Sequence, residues 1–217
     1  MSLATAPFTA LTTAPSKTAP SKTALTAPSK TAQTSTPIDE VLAERWSPRS
    51  YDASAPLDEK KLLAALEAAR WAPSAGNSQP SRFIVARRGS SAFDTIVANL
   101  MGFNQVWTTS AGALIVGVAE VTDADGKPRP WAKYDLGQAL AHLSVQAHHD
   151  GLHVHQMGGF DAEGVRAAFA IDERFEPVSV AAIGVLASAD ALPEPLRERE
   201  NAPRTRLPLS ELVLLSV

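Results

Sequence analysis

Apolar residues along this chain follow two rhythms, and these outline its elements. In Ala113–Ala119 (ALIVGVA) and Val178–Leu186 (VSVAAIGVL) the run is nearly unbroken over strand length, as in strands buried on both faces. Arg82–Ala86 (RFIVA) reads as a third strand and Leu152–Gln156 as a short fourth. Helical spacing takes over elsewhere. Between Trp131 and Asp150, Leu136, Leu140, Leu143 and Ala147 recur on one face, and Gly151 supplies the stop. Asp58 to Arg70 predicts a helix with Leu62, Leu63, Leu66 and Ala69 as its inner stripe, closed by Pro73. Before it, Thr36 as N-cap and Pro37 at the first helical position open a short helix whose Ile38, Val41 and Leu42 share a face, with Pro48 beyond it. Ala92–Met101 also reads as helical, and Asp161 caps a helix ending near Ile171. Helices alternate with buried strands throughout, which favours a sheet covered by helices on both faces.

Residues 1–36 break both rhythms. The hexapeptide APSKTA occurs at Ala14–Ala19, Ala19–Ala24 and Ala27–Ala32, among Thr, Ser, Pro and Lys. So little apolar surface does not offset the entropy of ordering, and the segment is expected to be a disordered tail before a single domain at 37–217. It lacks the apolar core of a secretory signal. An organellar address is the alternative to a cytoplasmic protein with a floppy end, and the absence of arginine counts against a mitochondrial one. A net charge of -3 gives no reason to expect nucleic acid or an anionic membrane as partner, and no apolar run is long enough to span a bilayer. With no cysteine, a thiolate metal site or cysteine nucleophile is excluded.

Three loops carry the candidate chemistry. ERWSPRSYD (Glu44–Asp52) sets Arg45 and Arg49 around Ser47, and PRTRLP near the other end repeats the theme with Arg204 and Arg206. These are either solvated surface charge or two halves of one anion site. WAPSAGNSQPSRF (Trp71–Phe83) joins a helix to a strand through residues that offer backbone donors and permissive dihedrals. It lacks the Gly-Lys-Ser/Thr ending of a phosphate-binding P-loop and the Gly-x-Ser-x-Gly of a hydrolase elbow. In HQMGGFD (His155–Asp161), Gly158 and Gly159 let the backbone approach something flat, or simply make a tight turn. His148, His149, His153 and His155 invite a metal, but the co-ligands at zinc spacing are missing, and no metal is expected.

In this order the motifs resemble the FMN-dependent nitroreductase family. RWSPRSYD resembles its opening Arg-x-Ser-x-Arg motif, APSAGNSQPSRFIV its Pro-Ser-x-x-Asn-x-Gln-Pro segment, Tyr134–Leu152 its central helix, GGF the glycine turn, and RTRLPLSELV its closing basic motif. The resemblance implies an α+β fold: a three-layer α/β/α domain with a mixed, mostly antiparallel central sheet, homodimeric with an exchanged C-terminal arm. It implies that Arg45, Ser47, Arg204 and Arg206 converge on the FMN phosphate beside Trp46. Arg49 would lie at the pyrimidine edge of the ring, where a cation stabilises the reduced form. Asn104, Gly158 and Gly159 would meet the ring, and Pro73, Ser74 and Asn77 would reach it from the second subunit. His155 and Gln156 are candidates for the acceptor pocket, and no side-chain acid or base is required.

The activity so implied is ping-pong transfer of a hydride from NAD(P)H, through the flavin, to a nitroaromatic, quinone or other electron-poor acceptor. Flavin cleavage, dehalogenation, azoline dehydrogenation or non-catalytic flavin binding on the same fold are the alternatives. Departures from the family pattern fall at Trp46, Ser81, Trp107 and Gly158, and all bear on what can sit over the ring.

Overall fold

The structure is a computed structural model that describes residues 30–216. The disorder expected of the tail therefore falls, for residues 1–29, outside the described residues. Four strands make one sheet in the order β1-β2-β4-β3: β1 (Ser81–Arg87), β2 (Ala113–Glu120), β3 (His153–Met157) and β4 (Phe175–Gly184). All three ladders among the described residues are antiparallel. Every residue of β2 is buried, as its apolar run requires of a central strand. β4 begins three residues before the expected start, at Phe175 rather than Val178. Pro177 lies within it opposite Val118, where the register with β2 shifts between Gly117 and Val118. A proline has no ladder donor, so a bulge is where a strand tolerates one.

Side-chain alternation divides the sheet into two cores. Leu114 and Val116 of β2 and Val180 and Ala182 of β4 face one way. They pack with Phe93 and Ile96 of α3 (Ser91–Ala98), Trp107 of α4 (Gly102–Thr108), Val165 of α6 (Ala162–Ala168) and Leu196 of α7 (Leu196–Asn201). Ala113, Ile115, Ala181 and Ile183 face the other way, onto Leu62, Ala65 and Ala69 of α2 (Glu59–Arg70) and Ala139, Leu143 and Ala147 of α5 (Ala132–His149). The expected α+β three-layer architecture is thus observed. Gly117 leaves room for α5 to press on the sheet: a β-carbon there would stand 3.1 Å from the Leu140 side chain and 3.1 Å from Ser179 Oγ. No helix among the described residues is long and apolar enough to cross a membrane.

Several local expectations are corrected. The short first helix, α1 (Glu40–Glu44), is capped by the carboxylate of Asp39, which accepts from the Val41 N–H, and Thr36 lies outside it. A carboxylate meets the first-turn donors and the helix dipole together, an advantage over a threonine hydroxyl. Ile38 and Leu42 do not enter the core: both are about half exposed, along a groove shared with the C-terminal residues. On α2 the buried stripe is Leu62, Ala65 and Ala69, and Leu63 faces out. The helix expected over Ala92–Met101 ends at Ala98, and α4 follows it as a separate helix. The helix capped by Asp161 stops at Ala168, ahead of Ala170, whose φ is 50°.

Residues 30–36, assigned to the tail on composition, lie against the domain: the Ala32 N–H donates to the Ala43 carbonyl at 2.8 Å. The C-terminal arm forms one helical turn, α8 (Leu209–Leu212), and pairs with no strand of its own chain among the described residues.

Where β4 ends, the chain continues into contact with the first basic motif. The Asp52 N–H donates to the Val185 carbonyl at 2.9 Å, Tyr51 bridges to Leu186, and the Tyr51 hydroxyl donates to the Ala182 carbonyl at 3.2 Å. The Tyr51 ring packs close to Gly184, where an added β-carbon would stand 2.9 Å from Tyr51 Cδ1 and 3.0 Å from the Gly112 nitrogen. The Gly184→Ala variant should therefore lose about 1–3 kcal/mol of stability, the usual cost of overpacking a core. Urea denaturation measures it, and an unchanged midpoint would mean that Tyr51 does not lock this junction.

Candidate functional site

Both basic motifs arrive at one place. A pocket of about 220 Å³ is lined by Lys30, Arg45, Trp46, Ser47, Arg49, Arg199, Arg204 and Arg206, with Ala202 and Pro203. Arg45 is delivered by the end of α1, as its C-cap. Arg204 and Arg206 follow α7, which packs into the core through Leu196. The guanidinium of Arg204 donates from Nη1 to the carbonyls of Lys30 and Ala43, both at 2.6 Å, so that it is braced against the start of the described chain and against α1. Arg45 Nη1 points toward Ser47 Oγ at 3.5 Å, a long contact.

Cations outnumber acids here. Burial, then the repulsion of Arg204 and Arg206, lowers the pKa of Arg45; burial, then Arg206, lowers that of Arg204. The nearby acid, Glu200, does not neutralise the group. Its Oε1 accepts the backbone N–H groups of Arg49 at 2.8 Å and Ser50 at 3.1 Å, and its Oε2 lies 3.9 Å from Arg49 Nη1. Glu200 is 3% exposed, and burial raises its pKa in spite of these donors. It holds the backbone of the opening motif and leaves the pocket positive.

His155 reaches this motif from behind. Its Nδ1–H donates to the Pro48 carbonyl at 2.9 Å, and its ring packs on Trp107 at 4.7 Å between centroids. Trp107 is itself 2% exposed and belongs to the core, so it does not sit over any open site. His155 thus supports the loop of the opening motif from the side of the core. Gln156, on the opposite face of β3, donates from Nε2 to the Leu140 carbonyl at 3.2 Å and to Ser144 Oγ at 3.1 Å, which ties the edge strand to α5.

Asn104 and the glycine turn meet as a second part of the site. Asn104 Nδ2 donates to the Gly159 carbonyl at 3.1 Å, and the Met101 N–H donates to the same oxygen at 3.0 Å. A β-carbon on Gly159 would press to 3.0 Å of Asn104 Nδ2, whereas one on Gly158 would meet nothing within 4 Å. Gly158 thus borders open space. Phe103 of α4 connects the two parts, because the Arg199 guanidinium lies 4.8 Å from its ring centroid while lining the arginine pocket.

The segment with Pro73, Ser74 and Asn77 does not line that pocket. Pro73 and Ser74 border another cavity, of about 420 Å³, with Gln79, Arg82, Phe83 and Asp135. This loop is strained, with Gly76, Asn77 and Gln79 at φ 58°, 55° and 48°. Left-handed backbone at non-glycine residues persists where the surroundings impose it. The buried carboxylate of Asp135 accepts the Ala75 N–H at 3.1 Å, and Arg129 donates to the Ser78 carbonyl at 2.6 Å.

Known proteins are similar to this chain in sequence and fold. Residues 42–97 match the model of the nitroreductase family. A crystal structure described as an oxidoreductase containing FMN is 36% identical, with a TM-score of 0.80 over 86% of this chain and 96% of that one. An uncharacterised 15.4 kDa protein of Mycolicibacterium smegmatis is 36% identical over 60% of this chain and 92% of its own. YdgI of Bacillus subtilis, provisionally named an NAD(P)H nitroreductase, is 26% identical over 67% of this chain and 86% of its own. The chain belongs to the nitroreductase family.

Burial, together with Arg49 in one case and His148 in the other, lowers the pKa of His155 and of His153 from 6.5 to about 4. Both rings are neutral in the folded protein at pH values where the unfolded chain would protonate them. Their contribution to stability is therefore full above pH 6.5 and is lost as the pH falls toward about 4. Denaturation midpoints across that range should fall with acid, and His155→Gln should flatten the slope. A slope unchanged by the substitution would mean that His155 is solvated.

Proposed function

We propose that this chain is an FMN-dependent oxidoreductase that carries electrons from NAD(P)H to an electron-poor acceptor of the nitroaromatic or quinone type. The observation that carries the reading is the convergence of Arg45, Arg49, Arg204 and Arg206, from the two ends of the domain, on one small pocket. A phosphate monoester fits that pocket, because its lining gathers guanidinium groups whose planar forks pair with phosphate oxygens. Open space beside Gly158 leaves room for a flat ring at the other part of the site.

Bound FMN would supply the two-electron chemistry at its ring nitrogen, and the chain's own residues bind and orient it. Arg45, Ser47, Arg204 and Arg206 would take the phosphate, with Trp46 at the pocket wall. Arg49, its backbone fixed by Glu200, would hold positive charge toward the ring. Asn104, Gly158 and Gly159 would border the ring. Donor and acceptor would use one open face in turn, the ping-pong order. With no acid or base assigned, rate would depend on positioning and on cofactor electrostatics.

Pro73, Ser74 and Asn77 would complete the site from a second copy of the chain, with the C-terminal arm exchanged between subunits. Large apolar residues left in the open support a homodimer. Trp71 is 72% exposed, Leu214 is 96% exposed, and Trp131 and Tyr134 lie edge to face on the surface. We place the protein in the cytoplasm.

Anaerobic addition of NADH or NADPH to the FMN-loaded protein should bleach its visible absorbance, and a nitroaromatic or quinone should restore it. A form that stays yellow with both would support a flavin-binding protein without this activity, or other flavin chemistry on the same fold. Arg45→Ala and Arg204→Ala should each weaken FMN binding by at least about tenfold, since a charge-assisted contact contributes roughly 1.5–3 kcal/mol. Fluorescence titration measures it, and wild-type affinity in both variants would remove the phosphate role of the pocket.

A further inference from the structure

The arginine pocket contains a cation that belongs to neither basic motif. Lys30 is the lysine of the third APSKTA copy, Ala27–Ala32, and it lines the pocket together with Arg45, Arg204 and Arg206. Its ammonium donates to the Ala202 carbonyl at 2.5 Å and stands 5.0 Å from the centroid of the Trp46 ring. The backbone around it is tied down. Arg204 donates to the Lys30 carbonyl at 2.6 Å and to that of Ala43 at 2.6 Å, and the Ala32 N–H donates to the same Ala43 oxygen at 2.8 Å. One carbonyl at the end of α1 thus gathers the pre-helical segment and the closing motif. Both Lys30 and Trp46 also border the small cavity beside Glu200, so the ammonium lies between the buried acid and the arginines.

An ammonium has three N–H donors, and the bond to Ala202 engages one of them. A residue serving only to tie the tail to the 202 loop would need a donor but no charge. Here the ammonium stands between Glu200, whose charge favours it, and Arg204, whose charge opposes it, on the rim of a pocket where cations outnumber acids. A lysine supplies a compact charge with rotatable donors, complementing guanidinium groups whose forks are fixed in direction.

We propose that Lys30 is a further phosphate ligand of the cofactor site, so that the segment preceding α1 forms a strap along one side of the pocket. The proposal rests on the FMN reading above. The strap makes Lys30, within the compositionally simple tail, a component of the binding site.

The test titrates the full-length, cofactor-stripped chain with FMN and with riboflavin, which carries the same ring without phosphate, at low and at raised salt. Lys30→Gln keeps a donor for Ala202 and removes the charge. It should raise the FMN dissociation constant about three- to tenfold at low salt, a charged contact discounted for its partial exposure. The effect should shrink as salt rises, riboflavin affinity should stay as in the wild type, and Lys30→Arg should restore most of the loss. FMN affinity unchanged in Lys30→Gln, or an equal loss for riboflavin and FMN, overturns the phosphate role while leaving the FMN reading intact. A wild-type chain that takes up no FMN removes the reading itself, and this proposal with it.

Discussion

Holding like charges together is the constraint on which the rest of this structure depends. Two unit charges about 6 Å apart at an effective dielectric of about 20 repel by about 3 kcal/mol. Lys30, Arg45, Arg49, Arg199, Arg204 and Arg206 border one pocket in a chain whose net charge is -3. Such a cluster persists only if the backbone that carries it is fixed independently of the charges. The fixing is done from the core outward: β4 runs on to pair with Asp52, Tyr51 locks against Gly184, and Glu200 takes two backbone N–H groups at the opening motif. The buried carboxylate spends its acceptor on the backbone. A single acid, whose other oxygen lies 3.9 Å from Arg49 Nη1, does not match the cations around it, and positive potential remains available to a ligand.

The same frame explains how distant segments meet. β2 and β4 are the two central strands, and the chain leaving β4 runs along Ser50 and Asp52 of the opening motif before reaching α7. The first and last motifs therefore come together across the end of the sheet. His155 contributes from the edge strand by holding the Pro48 carbonyl, with Trp107 behind its ring. A rigid sheet thus supports a site made almost wholly of loops and helix ends, where function concentrates when a scaffold positions it.

The longest periodic segments were legible in the sequence. The apolar run at Ala113–Ala119 could only be a buried strand, and the spacing of Leu136, Leu140 and Leu143 could only be a packed helix face. Where several residue types satisfy the same local rule, the sequence misleads. Thr36 and Asp39 are both good caps, and the hydrogen bonds of the folded chain choose Asp39. Leu63 fits a helical stripe as well as Ala65 does, but α5 packs closely enough to select the smaller side chain. The helix α4 was hidden because it buries Trp107 and Thr108 at its end and displays no repeating stripe. At the site, the arginines and glycines were legible as motifs. Glu200, Asp135, Arg129, Arg199 and Lys30 were not, since their partners lie far along the chain, as the 151-residue separation of Glu200 from Arg49 shows. The histidine pair on β3 was legible as a face of a strand, but only the packing tells that His155 supports a loop.

The proposed second copy ties the electrostatics to assembly. In one chain the strained 73–79 segment and the arginine pocket are lined by different residues, and the apolar groove between α1 and the arm shares Arg45, Arg204 and Arg206 with the pocket. The same arginines therefore border both the anion site and the base of the arm. If the arm moves to a partner, the pocket wall moves with it, and cofactor binding and dimer formation become linked equilibria. A ligand that prefers the assembled state stabilises it by mass action, and assembly raises affinity for the ligand by the same factor. In such an assembly the repulsion among the arginines would set the sign of that linkage. Without an anion the charge opposes closing the pocket, and with one it favours closure, so cofactor and partner would each make binding of the other more favourable.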